Sequence, residues 1–205
     1  DTGAAVLLAL TSAVGPAAGS VTWWHRPRPV TAYVTNEFSD SVTPIRTATN
    51  TAGTSITVGS FPAAIAITPN GKTAYVSNVA SDTVSPINTG TNTAGTAIPV
   101  GLEPFLIAIA PNGKTAYVIT EGGRDLPDLV CPIQTATNTA GTPITVGMDA
   151  RAIAVAPNGR TVYVVNAGSD SVTPIRTAIN RAGPAITVGN GPSAIAITPA
   201  ALAAP

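Results

Sequence analysis

Fixed charge is scarce in this sequence: ten acidic and ten basic side chains serve 205 residues, so any polar site draws on few candidates. Nine residues are the candidates for binding: Glu37, Phe38, Glu103, Glu121, Arg124, Asp125, Asp128, Asp149 and Arg151. Carboxylates gathered on loops attract cations or a basic partner, and a pair such as Asp125 and Asp128 has the chemistry for acid–base work. Nothing in the spacing supplies that pair with a partner. The spacing is not that of an EF-hand loop, and an arginine among the carboxylates points to ion pairing. Asp40, Asp82 and Asp170 recur at one repeat position just before a strand, which suits hydrogen bonds within their own turns. The lone histidine, His25, lies beside Trp23, Trp24, Arg26 and Arg28, and alone it makes neither a metal site nor a Ser/His/Asp relay. It is expected to pack with the tryptophans on one end of the fold. Cys131, the lone cysteine, allows no internal disulfide and no thiolate cluster, and its apolar surroundings suit a small core residue. No catalytic residue, metal ligand or cofactor is assigned.

The elements that carry these residues repeat. Tyr33, Tyr75, Tyr117 and Tyr163 stand in AYVTN, AYVSN, AYVIT and VYVVN, at spacings of 42, 42 and 46 residues. Each is followed by a VTPI-like segment, a Thr/Asn/Gly loop, an ITVG-like stretch and an AIAIT-like stretch. Self-similarity at such a period marks a stacked or circular array. Within one unit the strand signals are short and separated by turn chemistry. Ala63 to Thr68 reads as strand a, Thr73 to Ser77 as strand b, Thr83 to Asn88 as strand c and Thr96 to Val100 as strand d. Pro69-Asn70-Gly71-Lys72 reads as a tight hairpin in which Asn-Gly supplies positive φ, not as a phosphate loop, since no GxxxxGK[ST] string is present. Prolines 44, 86, 132 and 174 remove a ladder donor from strand c, so a bulge or break is expected there.

The strings PNGKTAYVSN at Pro69, PNGKTAYVIT at Pro111, PNGRTVYVVN at Pro157 and TAYVTN at Thr31 resemble the YVTN family of β-propeller repeats. These are bacterial and archaeal relatives of the WD-repeat propellers, often found on cell surfaces. The resemblance spans about residues 30 to 198 and implies an all-β propeller of four-stranded antiparallel blades. Counting units gives strands b, c and d from Val30 to Val58, three full units, and a lone strand a at Ser193 to Thr198. Four blades with three-plus-one terminal closure follow, since a shared blade would remove the exposed edges. A fragment of a longer array, and an open half-ring that pairs with a second copy, are the rival arrangements. Residues 1–29 read as an apolar and Pro-rich extension, with a signal-like run from Ala4 to Val14, and 199–205 as a tail.

Antiparallel strands send the a–b and c–d loops to one face, and the b–c and d–a loops to the other. Nine acids (Glu37, Asp40, Asp82, Glu103, Glu121, Asp125, Asp128, Asp149, Asp170) fall on the second face with only Arg124 and Arg151, a formal charge of −7. Lys72, Lys114, Arg160 and Arg181 occupy the first face without an acid. Unit three carries a longer b–c loop, TEGGRDLPDLV from Thr120, and loops held on a rigid scaffold concentrate specificity.

Composition supports this reading: 10% charged residues leave little for amphipathic helices, and zero net charge gives no pull toward nucleic acid. The apolar run near the N-terminus is shorter than a membrane span. The expected function is a non-enzymatic scaffold at the cell envelope that binds a protein or small ligand, with cationic chemistry, on the acidic face. The oligomeric expectation is a monomer or, with the ring open, a homodimer. The alternative is a lactonase-like hydrolase, because a related propeller family opens lactone rings. It would have to use Glu103, Glu121, Arg124, Asp149 and Arg151.

Overall fold

A computed structural model describes residues 30–199; the extension, His25 with its tryptophans, and the tail lie outside the described residues. The strands form four antiparallel sheets in chain order. Blade 1 holds β1 (Thr31–Asn36), β2 (Ser41–Arg46), β3 (Thr51–Ala52) and β4 (Ile56–Thr57). Blade 2 holds β5 (Pro62–Ile67), β6 (Thr73–Asn78), β7 (Thr83–Asn88), β8 (Thr93–Ala94) and β9 (Ile98–Pro99). Blade 3 holds β10 (Leu106–Ile109), β11 (Thr115–Thr120), β12 (Leu129–Gln134), β13 (Thr139–Ala140) and β14 (Ile144–Thr145). Blade 4 holds β15 (Ala150–Val155), β16 (Thr161–Asn166), β17 (Ser171–Arg176), β18 (Arg181–Ala182) and β19 (Ile186–Thr187).

The inner strands β5, β10 and β15 lie side by side along the axis, with β1 beside β5. Alternation along each strand sends side chains to both faces of a blade, and the core lies between blades. Tyr75, Val84, Ile98 and Val100 of blade 2 meet Ala116, Val118, Cys131 and Ile133 of blade 3. The same residue positions meet between blades 1 and 2 and between blades 3 and 4. A tyrosine hydroxyl pegs each joint: Tyr33 donates to Asn92 Oδ1 at 2.7 Å, Tyr75 to Asn138 Oδ1 at 2.7 Å and Tyr117 to Asn180 Oδ1 at 3.1 Å.

Proline breaks a different strand from the one expected. β2, β7, β12 and β17 run unbroken through Pro44, Pro86, Pro132 and Pro174, and the interruption falls on the outer strand, split into β3/β4, β8/β9, β13/β14 and β18/β19. Each proline carbonyl faces outward and accepts the N–H of Gly53, Gly95, Gly141 or Gly183 at 2.7 Å. The missing proline N–H faces the same way, so the outer strand has no donor to meet and leaves the ladder at that glycine. The a–b hairpin also differs in detail. Only the glycine takes positive φ (Gly71 67°, Gly113 70°, Gly159 69°), while Asn70, Asn112 and Asn158 accept the N–H two residues on at 2.9 Å.

Four blades stand as the repeats predict, but the terminal strand does not close them. Residues 192–199 carry no strand, and β1 pairs with β2 alone. The same Val/Ile/Tyr interlock joins successive blades three times over, and no such cluster joins blades 1 and 4 among the described residues. The ends are visibly bare: Val34 is 44% exposed and Ile186 48%, where the corresponding Val76, Val118, Ile56 and Ile98 are buried.

Candidate functional site

Backbone hydrogen bonds bind the b–c and d–a loops into one rim: Ala80 N–H donates to the Ser60 carbonyl, Glu121 N–H to Leu102 and Gly168 N–H to Met148. All nine candidate carboxylates of the described chain therefore share one end of the molecule. At the other end, Thr89, Thr135 and Thr177 N–H donate to the carbonyls of Lys72, Lys114 and Arg160. Arg46 and Arg176 terminate β2 and β17 at that basic end, two charges that the loop-based reading overlooked.

Four of the acids hold the fold together. Asp40 Oδ1 accepts the Phe61 N–H at 3.0 Å, Asp82 Oδ1 that of Glu103 at 2.8 Å, Asp128 Oδ2 that of Ala150 at 2.7 Å, and Asp170 Oδ1 that of Gly191 at 2.8 Å. The bonds do not serve their own turns, as the sequence suggested; each crosses to the turn that follows strand d, which in three of the four leads into the next inner strand. Asp40, Asp82 and Asp170 sit at left-handed φ of 47°, 56° and 47°, a conformation Asp tolerates better than most residues. Asp128, proposed as a binding residue, is buried in this clamp, and its Oδ1 also accepts the Gly122 N–H at 3.3 Å.

A cavity of about 400 Å³ opens between blades 3 and 4 on the acidic rim, lined by Phe105, Leu106, Glu121, Asp128, Asp149, Ala150 and Arg151. Glu121, Asp149 and Arg151 among the expected residues thus come together. Arg151 Nε lies 2.8 Å from Asp149 Oδ1 and ties up that carboxylate. Burial pushes the Glu121 carboxyl above its ordinary value, and the charges of Glu103 and Asp128 push it further in the same direction. Arg124 and Asp125 stand outside the cavity, at a loose 4.0 Å from each other and almost wholly exposed. Glu37 and Phe38 are carried by a 3-10 turn, Glu37–Ser39, on blade 1, apart from this cavity.

Sequence reasoning named Phe38 but missed the rest of the rim's apolar half. Phe38, 90% exposed, meets Phe61 edge-on with ring centroids 6.0 Å apart, and Leu102 and Met148 are exposed at the d–a turns. Leu102 and Met148 occupy the repeat position of Ser60 and Asn190, and that departure from polar residues was the available signal. Among the described residues no group of three or more His, Cys, Asp or Glu is arranged to hold a metal ion. Blade 3 has also lost the cross-strand amide of its siblings. Asn36, Asn78 and Asn166 each donate from Nδ2 to two hydroxyls of strand c. In blade 3 those three positions hold Thr120, Leu129 and Cys131, and the buried Thr120 Oγ1 has no partner.

Comparison with solved structures settles the fold. The molecule is a β-propeller. It superposes on hydrazine synthase from Kuenenia stuttgartiensis with a TM-score of 0.71 and 28% identity, covering 85% of this chain and 53% of that one. A functionally unknown protein from Desulfotomaculum acetoxidans gives 0.66 at 17% identity, covering 83% and 58%. A 6-phosphogluconolactonase-like protein from Bacteroides uniformis gives 0.68 at 15%, covering 80% and 53%. The propeller thus spans about half the length of these solved structures. No family model and no curated protein matches it in sequence.

Proposed function

We propose that this propeller is a binding scaffold of the YVTN-repeat type, working at the cell envelope, whose acidic and apolar rim takes up a basic, amphipathic protein segment or a cationic ligand. One observation carries the reading: Phe38, Phe61, Leu102 and Met148 are exposed on the same rim as Glu37, Glu103, Glu121 and Asp149. Exposed large apolar side chains rimmed by charge of one sign mark interaction surfaces, and the carboxylates would steer a partner of opposite sign. Binding of a Lys/Leu amphipathic peptide is expected to weaken with rising salt and to fall about tenfold in Phe38→Ala/Glu103→Gln. Salt-insensitive binding, or none, would refute the reading.

The hydrolase alternative rests on Glu121, whose carboxyl is raised and which lines the cavity between blades 3 and 4 together with Arg151. A carboxyl whose value is raised above the ordinary 4.5 favours the fold below that value and loses the advantage as pH climbs through the raised one. Glu121→Gln should therefore melt higher than the parent at neutral pH and level with it near pH 3. Loss of lactone hydrolysis in that variant, with the peptide still bound, would favour the enzyme.

A further inference from the structure

The two ends of the arc are complementary halves of a joint that the molecule already makes three times. In each internal joint one blade contributes a Tyr/Val/Ile face and the next contributes an Ala or Val, a Val and an Ile from its second and third strands. Blade 4 presents the first face with nothing on it: Tyr163 and Val172 are half-buried, and Ile186 and Val188 are exposed. Blade 1 presents the second: Ala32 and Val34 are exposed and Ile45 half-buried, where Ala74, Val76 and Ile87 are wholly buried. The tyrosine peg is also unmade, and the repeat position that would receive the Tyr163 hydroxyl is Asn50, at φ 51° like the receiving Asn92, Asn138 and Asn180.

The backbone shows the same mismatch. Among the described residues blade 1 has no inner strand, and residues 193–198, SAIAIT, repeat the inner strand AAIAIT of blade 2 with no sheet to join. The sequence before β1 departs from the repeat. In repeat register Pro29 stands where Gly71, Gly113 and Gly159 take φ near 70°, and a proline ring holds φ near about −65°. His25 would also replace the apolar Ile67. The arc itself is shaped for a larger ring, since it superposes on about half of propellers twice its length.

We propose that a second copy of this chain completes the ring. The open face of blade 4 and the segment 193–198 of one copy dock on the bare face and free edge of blade 1 of the other, and a two-fold axis repeats the joint to give eight blades. Copying the pairing of β5 with β6 sets the register: Pro192 opposite Asn36, Ile195 opposite Val34, Ala196 opposite Tyr33 and Ile197 opposite Ala32. This assembly is independent of the loop-face reading above.

The test uses the full 205-residue chain with Cys131→Ser, a change to the residue that blade 2 carries as Ser85. Ile195 and Val34 would meet at a position without ladder bonds, where Cβ atoms approach closely enough for a disulfide. Chains carrying Val34→Cys and chains carrying Ile195→Cys, mixed and oxidised, should yield a covalent dimer, and light scattering should give twice the chain mass. Ile186→Asp, on a surface exposed in the single copy, should return a folded monomer. Three results would each overturn the proposal: a double variant V34C/I195C that cross-links within one chain, a monomer that forms no cross-link when mixed, and a ladder of open polymers.

Discussion

Thr120 shows how a single position can report the history of its neighbours. Its hydroxyl is buried without a partner because Leu129 and Cys131 stand where the other blades keep the hydroxyls that bind the asparagine. Restoring asparagine alone would bury an amide with the same lack of partners. Thr120→Val keeps the shape and removes the orphan, so it should raise stability by about 1 kcal/mol in urea unfolding. The clamping aspartates predict the opposite sign. Asp82→Ala loses the acceptor for the Glu103 N–H and a residue suited to φ 56°, and should cost about 2 kcal/mol. Asp82→Asn retains both features and should cost about half as much. Burial explains the inertness expected of Cys131, whose thiol is pushed up to about 11, so thiol reagents should label it only on unfolding.

At the scale of the element, the strands were legible because alternation and the strand-c prolines recur four times and the Asn-Gly turns three, so each reading is checked by others. Strand c of the second unit falls on Thr83–Asn88 as expected. The outer strand was misread as continuous because sequence shows which residue lacks a donor but not which neighbour that donor would have served. The clamps were misread for a similar reason: an Asp before a strand signals a turn, while its partner lies 21 or 22 residues further along the chain, beyond strand d. Of the site, the acids and Phe38 were legible and Phe61, Leu102 and Met148 were not, since a single apolar residue in a sequence has no periodic signature to separate it from core. The hairpin glycine gives the element-scale prediction. Gly113→Ala meets no steric contact closer than 3.4 Å, so its cost is the left-handed backbone at φ 70°, about 1–2 kcal/mol in thermal or urea unfolding.

At the scale of the whole molecule, each blade packs only on its neighbours, so stability is a chain of similar joints and the end blades hold one joint each. Amide exchange of the isolated arc should therefore be slowest in blades 2 and 3 and faster in β1 and β19, and formation of the dimer should level the difference. Charge follows the same geometry: the acidic rim and the basic rim face opposite ways, so a nearly neutral chain carries a strong axial dipole. The proline at the third strand of every blade has one more outcome. With the peripheral strand cut into two-residue pieces, the circumference offers no continuous row of free N–H and C=O groups for a stranger to zip onto. Lateral stacking of these molecules into fibrils is barred at every blade, and growth is confined to the one direction in which a further blade would complete a circle.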